Sequence, residues 1–196
     1  METMTAYRRA QDGFDQVMAA VGDEQWDRPS TCAEWTIRDV AGHVIWGQRQ
    51  LRAWAVGEEY ESPTGFPGSS KPGELAADDP LATWRTARAA ADEALTDETL
   101  ARVVTIGGPV GDIPVIGVAE LLTTDLLGHS WDIGHAAGQD VRLDAELLPG
   151  SMEWSRKYVS RSAALFGPEV TPEADADDQD RLLAYLGRRP GQHLAS

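Results

Sequence analysis

The sequence has very little cysteine, very little lysine and no long apolar run. Its 196 residues include one cysteine, Cys32, and two lysines. A lone cysteine cannot form an internal disulfide bond, so the chain suits a reducing compartment. No apolar run approaches the roughly 20 residues needed to cross a bilayer, and the first residues show neither an apolar stretch nor a secretory cleavage site. We therefore expect a cytoplasmic protein without a membrane span.

Basic residues are also scarce relative to acidic ones. Lysine and arginine total 17 against 32 aspartates and glutamates, which gives a formal net charge of −15. Binding to nucleic acid or to an anionic membrane requires clustered basic side chains, so this balance argues against both partners. Hydrophobic residues make up 42% of the chain and charged residues 25%, a composition typical of a folded globular domain. We expect its partner to be a small molecule.

Apolar residues recur at three- and four-residue spacing along most of the chain, the pattern of amphipathic helices. Thr36 and Asp39 form a capping-box pattern that predicts where the second helix begins. Residues 58–79 are rich in proline and glycine and predict a long loop, of the kind that often forms a lid or a binding site. The predicted helices cover residues 4–21, 36–57, 80–95, 117–138, 144–165 and 180–186.

This element order predicts an all-α fold, a four-helix bundle in which ligands bind between facing helices. Residues 103–106 form a short strand-like piece, and a glycine-rich turn follows it. We expect the bundle to occupy residues 1–167. Residues 168–196 are expected to hold an acidic segment and a short C-terminal helix packed on the same domain.

Two histidines and one aspartate form the candidate site. Asp125 and His129 lie one helical turn apart and project from the same side of their helix. His43 lies on the apolar side of the second helix. Two imidazoles and a carboxylate suit a divalent transition metal and leave one position open for water or substrate. A metal-free polar network is the alternative, and His43 taken alone also fits a structural histidine bonded to a carbonyl group.

Asp132 follows on the same helix, and two interpretations of it remain open. It is either the acceptor that a metal-bound imidazole commonly needs, or the partner of an arginine in a salt bridge. The arginines considered for that bridge are Arg38, Arg49 and Arg52.

Four further residues near the site have simpler interpretations. Cys32 is expected to be a buried small residue rather than a reactive thiol. His135 lies about 120° around the helix from His129, which predicts a rim or surface position. Trp46 and Trp131 are expected to add core mass and to wall the site.

Three segments together resemble one family. Residues 29–44 (PSTCAEWTIRDVAGHV) are similar to the Pro-x-x-Cys-x-x-Trp-[Thr/Ser]-Val-Arg-Asp-x-x-x-His segment of the DinB-like superfamily, in the branch of the mycothiol-dependent maleylpyruvate isomerase. Residues 125–133 (DLLGHSWDI) resemble that branch's acidic-x-x-x-His-x-x-Asp-Leu segment. Residues 180–190 (DRLLAYLGRRP) look like the tails of single-domain members. The order and separation of the segments agree with the family.

The resemblance implies a DinB-like bundle with a metal site formed by His43, Asp125 and His129. In the isomerase the acidic ligand is Glu, and Arg is expected in many relatives where this chain has His135. Zinc is the expected ion, with nickel or another transition metal as alternatives. The implied activity is that of a mycothiol-dependent isomerase or S-transferase that uses a metal-bound thiolate, with mycothiol as co-substrate.

Three other expectations accompany this one. The bundle could instead be a non-catalytic metal-binding or stress-related protein. The open metal position could instead activate water, which predicts a hydrolase of a thiol adduct. Because bundles of this kind often pair through helix faces, a homodimer is also expected.

Overall fold

Four long helices form the body of the protein, as seen in a computed structural model that describes residues 1–161 and 166–190. The helices in these residues are α1 (Thr3–Ala19), α2 (Ile37–Val56), α3 (Pro80–Ala94), α4 (Asp97–Leu100), α5 (Val115–Ala136), α6 (Leu148–Tyr158) and α7 (Asp178–Tyr185). Helix α1 packs against α3 and α5, and α2 packs against the same two helices. Each long helix thus has two neighbours, and the predicted four-helix bundle is confirmed.

Large side chains from all four long helices fill the centre of the bundle. Phe14 of α1 and Trp84 of α3 meet edge to face, with ring centroids 4.7 Å apart. Burying each such side chain contributes about 1.5–3 kcal/mol. Fully buried members of this core are Tyr7, Phe14, Ile45, Leu51, Trp84, Leu126 and Ile133.

A small hairpin precedes α5. Strand β1 (Val103–Gly107) pairs antiparallel with β2 (Gly111–Pro114), with Val103 opposite Pro114. The strand-like piece expected at residues 103–106 is therefore confirmed, whereas its partner strand was not anticipated. The β2 segment has only four residues and ends in proline, so it carries too short a pattern to predict a strand.

The predicted loop over residues 58–79 lies against α2 at a point of close backbone approach. Its 3₁₀ turn, Pro72–Ala76, packs on α2. A Cβ atom on Gly42 would lie 1.9 Å from the carbonyl oxygen of Pro72, so only glycine fits there. The Gly73 amide donates to Oδ1 of Asp39 at 2.8 Å. Because Asp39 also caps α2 through the Thr36 amide, one carboxylate fixes both the helix start and the loop.

The predicted boundaries of α6 and α7 differ from the structure. Helix α6 begins at Leu148 instead of residue 144, with Pro149 in its first turn, where the missing N–H breaks no helical bond. It ends at Tyr158, well before the predicted residue 165; residues 162–165 lie outside the described residues. Helix α7 begins at Asp178, two residues early, because Asp177 caps it by accepting from the Asp180 amide.

Over residues 1–161 and 166–190, none of the helices combines the length and the apolar character that crossing a bilayer requires.

Candidate metal centre

Helices α2 and α5 bring the three predicted ligand residues together. Asp125 and His129 are one turn apart on α5, and His43 faces them from α2. Both histidines are 7% exposed. One fifth of the Asp125 side chain is exposed, so the group can be reached from solvent on the carboxylate side. The capping box at the start of α2 fixes where His43 lies along that helix.

The ligand atoms converge on one point. Nε2 of His129 lies 3.3 Å from Oδ1 of Asp125, and Nε2 of His43 lies 3.8 Å from the same oxygen. One ligand atom from each of the three residues lies within 4.8 Å of the other two. Two donors that bind one tetrahedral zinc ion are about 3.3–3.5 Å apart, given zinc–ligand bonds of about 2.0–2.2 Å. The donor types and spacings therefore fit a divalent ion.

Both imidazoles already use their other ring nitrogen. Nδ1 of His43 lies 2.6 Å from the carbonyl oxygen of Gly65, and Nδ1 of His129 lies 2.9 Å from Oδ2 of Asp132. A carbonyl oxygen can only accept, so Nδ1 of His43 donates to Gly65, and Nε2 is the ring nitrogen that faces Asp125. The Asp132 carboxylate orients His129 in the same way, through Nδ1 of that ring. Metal-binding histidines typically show this arrangement.

Asp125 and His129 strongly shift each other's pKa values. Burial raises the pKa of Asp125, but the adjacent His129 and His43 imidazoles outweigh burial and hold that pKa well below its usual range. Burial lowers the pKa of His129, and the Asp125 and Asp132 carboxylates outweigh it and raise that pKa well above its usual value. The carboxylates therefore favour a positive charge on the His129 ring, and a metal ion that binds this ring must replace its proton.

Aromatic rings wall the His43 side of the group. The Trp35 ring lies 5.3 Å from the His43 ring, and Trp46 stacks near it at 6.2 Å with the planes 12° apart. The expectation for Trp46 agrees with this position, whereas Trp35 was not anticipated at the site. Trp46 also lines an open cavity of about 610 Å³. The other residues that line this cavity are Tyr60, Glu61, Ser62, Pro63 and Phe66.

Asp132 makes both kinds of contact predicted for it, one with an imidazole and one with an arginine, although the arginine is a different one. It accepts from His129, and its two oxygens also accept from Nε and an Nη atom of Arg188, at 3.2 and 2.7 Å. Arg38 and Arg52, which were predicted as partners, bind Asp27 and Glu58 near their own helix ends. The prediction of Arg38, Arg49 or Arg52 is therefore wrong. Arg188 lies 56 residues from Asp132 in sequence, and helical spacing gave no signal for this contact.

Cys32 is half-buried, and its thiol contacts Asp132 at 3.3 Å. Burial and the Asp132 charge raise the pKa of the Cys32 thiol, which agrees with an unreactive residue. Cys32, His129 and Asp132 form a second group with metal-ligand atoms. Because the Arg188 guanidinium already binds both oxygens of Asp132, a second cation there would meet a fixed positive charge.

The two remaining predicted residues pair with each other. The rings of Trp131 and His135 stack with centroids 4.4 Å apart and planes 17° apart. His135 is half-buried on α5 and is not in the group formed by His43, Asp125 and His129. Trp131 is 5% exposed and contributes to the core near the end of α5.

Comparisons with known proteins give one family. A family model described as the mycothiol maleylpyruvate isomerase N-terminal domain matches residues 7–134. Uncharacterized proteins from two strains of Mycobacterium tuberculosis, H37Rv and CDC 1551, are 32% identical to the chain over 192 residues, which is 96% of this chain and 98% of each relative.

Two solved structures share the fold. The crystal structure of the mycothiol-dependent maleylpyruvate isomerase superposes with a TM-score of 0.58 at 19% identity, over 76% of this chain and 66% of that one. A histidine-to-alanine mutant of that isomerase gives a TM-score of 0.55 at 16% identity over the same shares. The chain thus spans just under two thirds of the solved enzyme, and the predicted DinB-like fold is confirmed.

Proposed function

Because the chain belongs to the family of the mycothiol maleylpyruvate isomerase N-terminal domain, we propose that it is a metal-dependent enzyme acting with a low-molecular-weight thiol. Mycothiol is the expected co-substrate, and the reaction is an isomerisation or an S-transfer. The observation that carries the proposal is the convergence of two Nε2 atoms on one carboxylate oxygen, at 3.3 and 3.8 Å. His43, Asp125 and His129 would hold the ion, with zinc expected.

Each residue of the group has a defined task in this proposal. His43 and His129 direct Nε2 inward because Gly65 and Asp132 accept from their Nδ1 atoms. Asp125 supplies the negative charge and is the most exposed of the three side chains. When bound, a divalent ion lowers the pKa of a thiol beside it and so supplies a thiolate near neutral pH.

The chemistry of a thiolate explains how such a site isomerises a double bond. Addition of the sulfur to one alkene carbon moves the π electron pair onto the conjugated carbonyl oxygen as an enolate, and the adduct can rotate about the former double bond. Collapse of the enolate expels the same thiolate and restores the double bond. If the thiolate instead displaces a leaving group from a different electrophile, that group departs with its electron pair, and the result is S-transfer.

The cavity lined by Trp46, whose ring stacks near His43, is the proposed binding surface for the body of the thiol or its adduct. Trp46, Tyr60 and Phe66 offer ring faces, and Glu61 and Ser62 offer hydrogen-bonding groups. Phe66 is 44% exposed, which is unusual for a large apolar side chain in the described residues. Trp46→Ala is expected to raise KM for the thiol more than it lowers kcat, because Trp46 lines the cavity and is not one of the three ligand residues.

The decisive assay measures loss of maleylpyruvate by zinc-loaded protein with and without mycothiol. Turnover is expected only with the thiol, and His129→Ala should abolish it. His135→Ala is the matched control, since it removes a histidine from the same helix but outside the group, and it should keep most of the activity. Bound zinc without turnover would favour the non-catalytic metal-binding role. Release of free thiol from an adduct without isomerisation would favour the hydrolase.

A further inference from the structure

The Asp132 carboxylate is the most heavily bonded polar group near the candidate site. Its side chain is 1% exposed, yet it accepts from His129, Arg188, Thr31 and Cys32. These donors come from three separate parts of the chain: the segment before α2, helix α5 and the segment after α7. Asp132 is therefore where the C-terminal segment meets the imidazole of a candidate metal ligand.

The local sequence after α7 explains how Arg188 reaches that point. Gly187 adopts φ of +88°, in the left-handed region that favours glycine. The Gly187 amide donates to the carbonyl of Ala184, and the Arg188 amide donates to the carbonyl of Leu183, which is the Schellman pattern at a helix end. Leu182 and Leu183 are fully buried and hold α7 against the protein. The chain reversal therefore starts from a fixed helix.

Helix α5 leaves room for the guanidinium. Gly128 lies beside it, and a Cβ atom there would be 3.2 Å from an Nη atom of Arg188. The Arg188 side chain is 13% exposed, and its fork binds both Asp132 oxygens. A bidentate contact of this kind fixes the plane of the carboxylate as well as its charge.

We propose that Arg188 is a positioning residue of the metal centre, which holds the Asp132 carboxylate in the orientation that aims Nε2 of His129 at the ion. This inference rests on the proposed metal-dependent function. It assigns the C-terminal segment a role in the site, although Arg188 lies outside residues 7–134 that match the family model. Without the guanidinium, Asp132 loses the bidentate contact that fixes the plane of its carboxylate.

The experiment compares zinc dissociation constants of full-length variants by competition with a chromophoric chelator. Arg188→Gln removes the charge and the fork, and Arg188→Lys keeps the charge but loses the fork. Arg189→Gln is the matched control, because Arg189 is the exposed neighbour and the variant changes net charge equally. Mutation of a group that hydrogen-bonds a metal-binding histidine typically weakens metal binding by about 10–100-fold. Arg188→Gln is expected to weaken zinc binding about 10-fold, Arg188→Lys to fall between it and wild type, and Arg189→Gln to match wild type.

Thermal unfolding of the metal-free variants separates positioning from a purely structural role. If Arg188→Gln lowers Tm but binds zinc as tightly as wild type, the inference is overturned while the proposed metal site stands. If Arg188→Gln does not fold, Arg188→Lys decides, and an affinity equal to wild type overturns the inference. If wild type itself binds no zinc, the proposed function fails and the inference fails with it. An altered visible spectrum of the Co²⁺ form of Arg188→Lys is the supporting signature, because it reports ligand geometry directly.

Discussion

Gly42→Ala is the substitution whose effect the structure defines most sharply. The added Cβ would lie 1.9 Å from the Pro72 carbonyl oxygen, 2.5 Å from its carbon and 2.9 Å from the Gly73 nitrogen. All three are backbone atoms, so no side-chain rotation relieves the contact. The Pro72–Ala76 turn must move away from α2 by more than an ångström to reach ordinary contact distance.

The cost follows from the contacts that this movement strains. Overpacking of this kind costs about 1–3 kcal/mol. The bond from the Gly73 amide to Asp39, at 2.8 Å, has a charged acceptor and contributes about 1.5–3 kcal/mol. Alanine regains about 1 kcal/mol of helix propensity. The net loss in the free energy of unfolding is about 1.5–5 kcal/mol, and each kcal/mol corresponds to about 2–4 °C in Tm for a chain of this size.

Thermal unfolding followed by circular dichroism measures this loss, and α1 supplies the control. Gly13 lies in that helix with nothing within 4 Å of a Cβ atom, so Gly13→Ala should raise stability by about 1 kcal/mol. Gly42→Ala should also weaken zinc binding, because the same loop supplies the Gly65 carbonyl to His43. A Gly42→Ala protein as stable as wild type would refute the close approach of loop and helix.

Zinc at 100 times its dissociation constant should stabilise the protein by about 2.7 kcal/mol and raise Tm by about 5–11 °C. A chelator should reverse this rise, and His43→Ala should not show it. A Tm independent of zinc would count against the site. Burial raises the pKa of Tyr7 above the tyrosine value of about 10, so the unfolded chain deprotonates first. The free energy of unfolding should therefore fall above pH ~10 by up to about 1.4 kcal/mol per pH unit, and urea titrations should show this component lost in Tyr7→Phe. A fall of the same steepness in Tyr7→Phe would contradict that assignment. Leu126→Ala, at a fully buried position beside Asp125, should cost about 2–5 kcal/mol in urea unfolding, and a loss under 1 kcal/mol would show a loosely packed core.

The bundle could be predicted because its helices carry their own signals. Apolar spacing marked α1, α2, α3 and α5 to within two or three residues at most ends, and the Thr36 and Asp39 pattern marked the start of α2. The grouping of Asp125 and His129 follows from one helical turn. Helix α6 was predicted too long: it begins at Leu148 and not at residue 144, and it ends at Tyr158 although Val159 continues the apolar pattern.

The partners of the histidines could not be predicted by the same reasoning. The acceptor for His43 is a backbone carbonyl in a loop, and every residue type supplies one. Arg188 reaches Asp132 across 56 residues through a helix-end reversal. The Gly187 that follows α7 was a usable local signal for that reversal, but it does not specify where the next side chain binds.

The most direct test of the central claim is an anomalous-difference map from a zinc-soaked crystal, recorded above and below the zinc absorption edge. Zinc held by these residues should give one strong peak about 2.0–2.2 Å from Nε2 of His43, Nε2 of His129 and a carboxylate oxygen of Asp125. A map in which zinc binds elsewhere, with these three side chains free of it, would contradict the account.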